Sequence, residues 1–160
     1  MNEEYLNIIN DIVNNEEFQK LKNVRHHLCT TRYNHSYNVA LKTYKMCKKR
    51  NLDYISATRA ALLHDFFFDD EINNRLKRLV KHYEKAINNA SKITELSDKE
   101  KQMISSHMFP VGGTIPKSKE ALIIDYCDDV VTFKERFNAN KKKAQVALAS
   151  ILVFLFTINK

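Results

Sequence analysis

At 160 residues the chain has room for one ordinary domain with its own hydrophobic core. Its 2 glycines and 2 prolines leave few sites for tight turns, and 3 cysteines without a Cys-x-x-Cys spacing exclude both a disulfide framework and a cysteine-based zinc site. The formal charge of +7 concentrates anions without choosing between phosphorylated small molecules, nucleic acid and an acidic membrane surface.

Leu, Ile, Ala, Lys, Glu and Asn dominate, a composition that favours helices, so an all-α fold with almost no sheet is expected. Cys29, Cys47 and Cys127 point to the reducing cytoplasm. The opening Met1-Asn2-Glu3-Glu4 is acidic where a signal peptide is basic, and no apolar run reaches the roughly 18 residues of a membrane span. Neither secretion nor a membrane location is expected.

Tyr5, Leu6, Ile8, Ile9, Ile12 and Val13 recur at helical spacing, and a second apolar set surrounds Phe18 and Leu21, so one or two packing helices open the chain. Thr31 can cap a helix running to about Arg50, with Tyr33, Tyr37, Val39 to Leu41, Tyr44 and Cys47 as its stripe and His35 in its first turn. Asp53 can cap the next helix, where Ala57, Ala60, Ala61, Leu62 and Leu63 let another helix approach closely and His64 and Asp65 close the element. An aromatic and acidic loop covers Phe66 to Glu71. Beyond it a basic helix carries Leu76, Leu79, Val80, Tyr83, Ala86, Ile87 and Ala90 on one face, with His82 at the edge.

Ser97-Asp98-Lys99-Glu100 is a capping box that opens a short helix containing Met103, Ile104, His107 and Met108. Pro110, Gly112, Gly113 and Pro116 mark a rim loop. The helix from Ser118 to Phe137 aligns Ala121, Ile124, Asp128 and Val131, which turns an aspartate toward the core. Lys141-Lys142-Lys143 then precede a nearly uninterrupted apolar run from Ala144 to Ile158. Its length of about 15 residues suits a closing helix or a subunit contact better than a membrane anchor.

Four of the 6 histidines, namely His35, His64, His82 and His107, fall at the buried-side edges of four separate expected helices, joined by Asp65 and Asp128. Taken singly, each histidine is more often a satisfied core or surface residue. The set is different, because an unpaired carboxylate on an apolar face loses hydration at a cost of several kcal/mol, and metal coordination supplies the missing partner. Imidazole nitrogen and carboxylate oxygen suit one or two divalent ions of Fe, Mn, Zn, Ni, Co or Mg, and Asp65, with two oxygens, is the natural bridge.

Asp125 and Asp129 compete with Asp128 for the last position; the helical face favours Asp128, with Asp129 second. His26 and His27 precede the first of these helices without an apolar period and are expected in a loop or rim. The Phe66 to Phe68 run is expected in the core. Arg32, one turn before His35, can pair bidentately with a phosphate or equally sit in a surface ion pair.

The residues Arg32-Tyr33-Asn34-His35-Ser36, Leu62-Leu63-His64-Asp65, Lys81-His82, Ile104 to Pro110 including His107, and Glu120 to Asp128 occur in a familiar order. Over about residues 25 to 135 the chain resembles the HD superfamily of metal-dependent phosphohydrolases. The resemblance implies a single compact helical bundle over 1–160, with 25–135 as the metal-binding core and 141–160 as an apolar C-terminal helix packing on it. It also implies that His35, His64, Asp65 and Asp128 hold one metal, and Asp65, His82 and His107 the second. Many relatives carry a lysine soon after the His-Asp pair and another directly after the final Asp; this chain has Phe66-Phe67-Phe68 and Asp129 there.

The expected activity is hydrolysis of a phosphoester or phosphoanhydride of a small molecule, first of all a nucleotide, by a metal-bound hydroxide. Asp65 bridges the ions, while Arg32 or a nearby lysine such as Lys81 neutralises developing charge. Two other readings share the ligand set: a mixed-valence di-iron oxygenase similar to inositol oxygenase, and a module that binds metal and nucleotide without turnover. No specific nucleic acid is expected as a partner, and a homodimer stays open.

Overall fold

The structure, a computed structural model, describes residues 3–26, 30–72 and 75–158. His27 and Cys29 lie outside the described residues, as do the side chains of Leu76, Leu79, Val80 and residues 146–158. In chain order come α1 (Glu3–Val13), α2 (Glu16–Gln19), a 3-10 turn (Lys20–Asn23), a ribbon of β1 (Arg25–His26) and β2 (Thr30–Thr31), then α3 (Arg32–Lys49) and α4 (Tyr54–Leu63). A 3-10 turn (Asp69–Glu71), α5 (Arg75–Ile93), α6 (Asp98–Ser106) and α7 (Lys119–Ile158) complete it. The fold is all-α, and among the described residues its one departure is the antiparallel ribbon, with Arg25 opposite Thr31 and His26 opposite Thr30.

The helix starts follow from the capping chemistry. Thr31 accepts a hydrogen bond from the Asn34 amide at 3.2 Å, and Asp53 accepts one from the Ser56 amide at 3.1 Å. At α6 the box is reciprocal: the Glu100 amide donates to Ser97 Oγ at 3.2 Å, and the Ser97 amide donates to Glu100 Oε2 at 2.8 Å. These caps fix where α3, α4 and α6 begin, and so which of their residues face inward.

Helix α3 packs mainly on α4 and α7, and α4 packs on α6. Ala40, Ala57, Ala60 and Ala61 are fully buried, which lets these backbones come close, while Leu62, Leu63, Met103, Ile104 and Ile124 fill the space between them. Lys99 of α6 ties three helix starts together, donating to Asp53 Oδ2 at 2.9 Å and to Glu120 Oε1 at 3.0 Å. Glu120 also accepts the Asp53 amide at 3.1 Å. Helix α1 closes one side with Tyr5, Ile9 and Ile12, and Arg59 of α4 holds it by two bonds to Asp11 at 2.8 and 2.9 Å.

The C-terminal region differs from the sequence expectation in one respect. Two segments, 118–137 and 144–158, were expected with a lysine run between them; the structure has one helix, α7, through both. Residues 138 to 143 contain neither Gly nor Pro, so nothing interrupts the i to i−4 ladder. Its inner face buries Ala121, Ile124, Cys127, Val131 and Ala139, whereas Leu122, Tyr126, Phe133 and Phe137 stay exposed on the outer one. Among the described residues no helix is long and apolar enough to cross a membrane.

The loop after α6 is pinned to the end of that helix. The Thr114 amide donates to the Ser105 carbonyl at 2.9 Å, and the two hydroxyls of Ser105 and Thr114 share a bond of 2.7 Å. Gly113 makes this possible: its φ is +75°, and a Cβ there would overlap the Ser105 carbonyl oxygen. Gly113→Ala is therefore expected to lower stability by about 1–3 kcal/mol. Chemical denaturation should show this as a reduced midpoint with an unchanged slope.

Candidate metal centre

Five helices deliver the six candidate side chains. His35 lies in the first turn of α3, His64 is the C-cap of α4 and is followed by Asp65, His82 lies within α5, His107 is the C-cap of α6, and Asp128 lies on α7. All four histidines and Asp65 are buried, and the Asp128 side chain is 18 % exposed. The structure brings the six together around Asp65.

The two oxygens of Asp65 face different partners. Oδ2 is 3.9 Å from His64 Nε2, while Oδ1 is 3.1 Å from His82 Nε2 and 3.9 Å from His107 Nε2. On the Oδ2 side, Asp128 Oδ1 lies 3.8 Å from His64 Nε2 and 2.9 Å from His35 Nε2. On the Oδ1 side, His82 Nε2 and His107 Nε2 are 2.7 Å apart. Asp129, the alternative last ligand, is exposed on the outer side of α7.

Three of the imidazoles have their other nitrogen occupied. His64 and His107 sit where a helix ends and the last carbonyls lack intrahelical donors, so each Nδ1–H donates three residues back, to Ala61 O at 2.7 Å and to Ile104 O at 2.6 Å. His35 Nδ1 donates to Glu135 Oε2 at 3.0 Å. These bonds leave Nε2 as the lone-pair nitrogen on His64 and His107, the tautomer that a metal requires, and turn Nε2 of His35 to Asp128. His64 Nε2 is buried with no hydrogen-bond partner among the described residues. A buried acceptor of that kind, directed at two carboxylates, fits a cation between them.

The protonation states divide across the site. Burial, with His82 and His64 as neighbours, pushes His107 down to about 3, so it stays neutral. Burial opposes charge on His35 too, but Asp128 and Glu135 outweigh it and raise its pKa to about 10. Burial would raise Asp65 and Asp128. For Asp65 the adjacent His64 and the bond to His82 win, and for Asp128 the bond to His35 does, so both are held below the usual carboxylate range. Two ionised carboxylates among nitrogen donors form a site capable of binding one or two divalent ions.

Arg32 lies beside this centre. It is buried, its Nη1 donates to Phe67 O at 2.7 Å, its Nη2 pairs with Asp69 Oδ1 at 3.2 Å, and its guanidinium sits 3.8 Å over the Phe67 ring. The Phe67 ring also packs on His82 at 5.0 Å, so the segment after Asp65 is braced from both sides. Phe66 is buried as expected, against Phe18. Lys81 points outward, near Glu84 at 3.8 Å.

Two residues enter the site that sequence reasoning did not place there. Glu135 lies seven positions beyond Asp128, two helical turns on the same face of α7, and that spacing was the available signal. His26 was expected in a loop or rim; it stands on β1 with its ring against His35 at 4.1 Å. No periodicity in a two-residue strand could have shown this.

Glu135→Gln keeps the shape of the contact but removes its charge, and is expected to weaken metal affinity by about 10–100-fold. Isothermal titration of the apoprotein with Zn2+ or Mn2+ would measure it. Because His35 carries a proton below about pH 10 in the metal-free protein, metal binding at Nε2 must expel that proton. Affinity should therefore rise with pH through the neutral range, by about tenfold per unit for each proton released. Titrations in two buffers of different ionisation enthalpy should show the release directly, and pH-independent binding would contradict it.

The HD domain family model matches residues 32–132, a span that includes His35, His64, Asp65, His82, His107 and Asp128 and stops short of His26 and Glu135. No curated protein and no solved structure matches the chain. The matched family and the assembled His and Asp cluster together support a metal-dependent hydrolase function in general. With well over half of its length aligned to that model, the chain belongs to the HD domain family.

Proposed function

We propose that the protein hydrolyses a phosphoester or phosphoanhydride bond of a small molecule, with a nucleotide as the substrate class. The observation that carries this reading is the split of Asp65, whose Oδ1 faces His82 and His107 while Oδ2 faces His64. In that arrangement His35, His64, Asp65 and Asp128 would hold one ion, and Asp65, His82 and His107 a second. Two bound ions would supply an acidified water and charge stabilisation for the phosphoryl oxygens, so no side-chain nucleophile is needed.

The chain's own residues have distinct tasks. Asp65 and Asp128 keep the centre anionic enough to retain divalent ions. Glu135, Ala61 O and Ile104 O hold three imidazoles in the ligating tautomer. Arg32 braces the Phe67 carbonyl and adds positive charge beside the site, which favours an anionic substrate. The net charge of +7 acts in the same direction at longer range. Phe109, two residues after His107 and 41 % exposed, offers an aromatic face on which a base can stack.

Metal-loaded protein is expected to release phosphate or a nucleotide from at least one member of a broad phosphoester panel. The double variant His64→Ala, Asp65→Ala should fall to the buffer background. Undiminished turnover in that variant would refute the proposal. Product formed only with iron and with consumption of oxygen would assign the centre to oxidation instead.

A further inference from the structure

The ribbon ahead of α3 returns the chain toward the metal centre. β2 ends on Thr31, the cap of α3, and the register sets His26 opposite Thr30. His26 therefore comes back beside the first turn of α3, where His35 stands. The two rings lie 4.1 Å apart at 38°, and the His26 side chain is 13 % exposed. Its Nδ1 is 3.9 Å from Asp65 Oδ2, the oxygen on the His64 side of the bridge. One nitrogen of His26, one of His35 and a carboxylate oxygen of Asp65 form a three-donor group of their own.

Donors bound at about 2.0–2.2 Å to a common ion lie roughly 3 Å apart when adjacent and about 4.2 Å apart when opposite. The His26 to Asp65 distance of 3.9 Å falls within that interval. We infer that His26 is a seventh protein ligand, coordinating the ion held by His35, His64, Asp65 and Asp128. The inference rests on the metal-centre reading of those residues. Its chemical consequence is specific: the ion on that side has one more protein nitrogen and, with Asp128 also bound there, two fewer positions for water or substrate than the ion at His82 and His107. The two ions then divide the work, the first as a closed, tightly held site and the second as the open one.

The full-length apoprotein and its His26→Ala and His26→Gln variants should be titrated with Zn2+ calorimetrically and with Co2+ by visible absorption. Wild type should bind two ions. Each variant should bind one of them about 10-fold or more weakly, with Co2+ bands shifted in position and intensity by the lost nitrogen. Millimolar imidazole should restore both affinity and spectrum in His26→Ala, which a packing role for the ring cannot explain. Wild-type affinity in both variants, or weaker binding with an unchanged Co2+ spectrum, would overturn the assignment. Thermal melting of the metal-free forms identifies a variant that fails to fold, and the other then decides. A wild type that binds no ion would instead defeat the metal-centre reading itself.

Discussion

One buried carboxylate sets the conditions for the rest of the molecule. Asp65 is kept ionised below the usual carboxylate range although burial opposes it, because His64 and His82 lie against it. An isolated ion in such a place would cost several kcal/mol, a large share of a small domain's stability of about 5–15 kcal/mol. The arrangement is tolerable only if several elements converge with donors at one point. α3, α4, α5, α6 and α7 all do so, which makes the packing of the bundle and the composition of the centre a single constraint.

The precision of that convergence comes from helix ends. A helix terminates with carbonyls that lack intrahelical donors, and a histidine at the C-cap can satisfy one with Nδ1 while presenting Nε2 outward. His64 and His107 both do this, so the unmet backbone groups that usually need a glycine cap or water here orient imidazoles instead. The loop pinned at Gly113 and Thr114 holds the end of α6 where His107 projects. Arg32 and Phe67 perform the corresponding task after Asp65. Stability and site geometry are therefore coupled through the backbone rather than through the apolar core alone.

Much of the helical framework was legible because caps and apolar periods are local. Thr31, Asp53 and Ser97 each state a helix start within four residues, and the structure uses all three as caps. The coming together of His35, His64, Asp65, His82, His107 and Asp128 was legible for a related reason, since each sits at the edge of an apolar stripe and the stripes must share one core. The continuous α7 was not read, because a polar lysine run resembles a break even though it contains no residue that ends a helix. Glu135 is one of several acidic residues on a charged helix, and only its register with Asp128 marks it.

The sequence by itself determined the all-α class, the capped helix starts and the residue types able to hold metal, because these depend on spacing within one element. Only the tertiary structure decided which oxygen of Asp65 meets which histidine, that Arg32 clasps the Phe67 segment, and that His26 and Glu135 flank His35. Those relations join residues up to 100 positions apart. They depend on how helices cross and on where a two-residue ribbon turns, geometry that arises only when the apolar faces pack together.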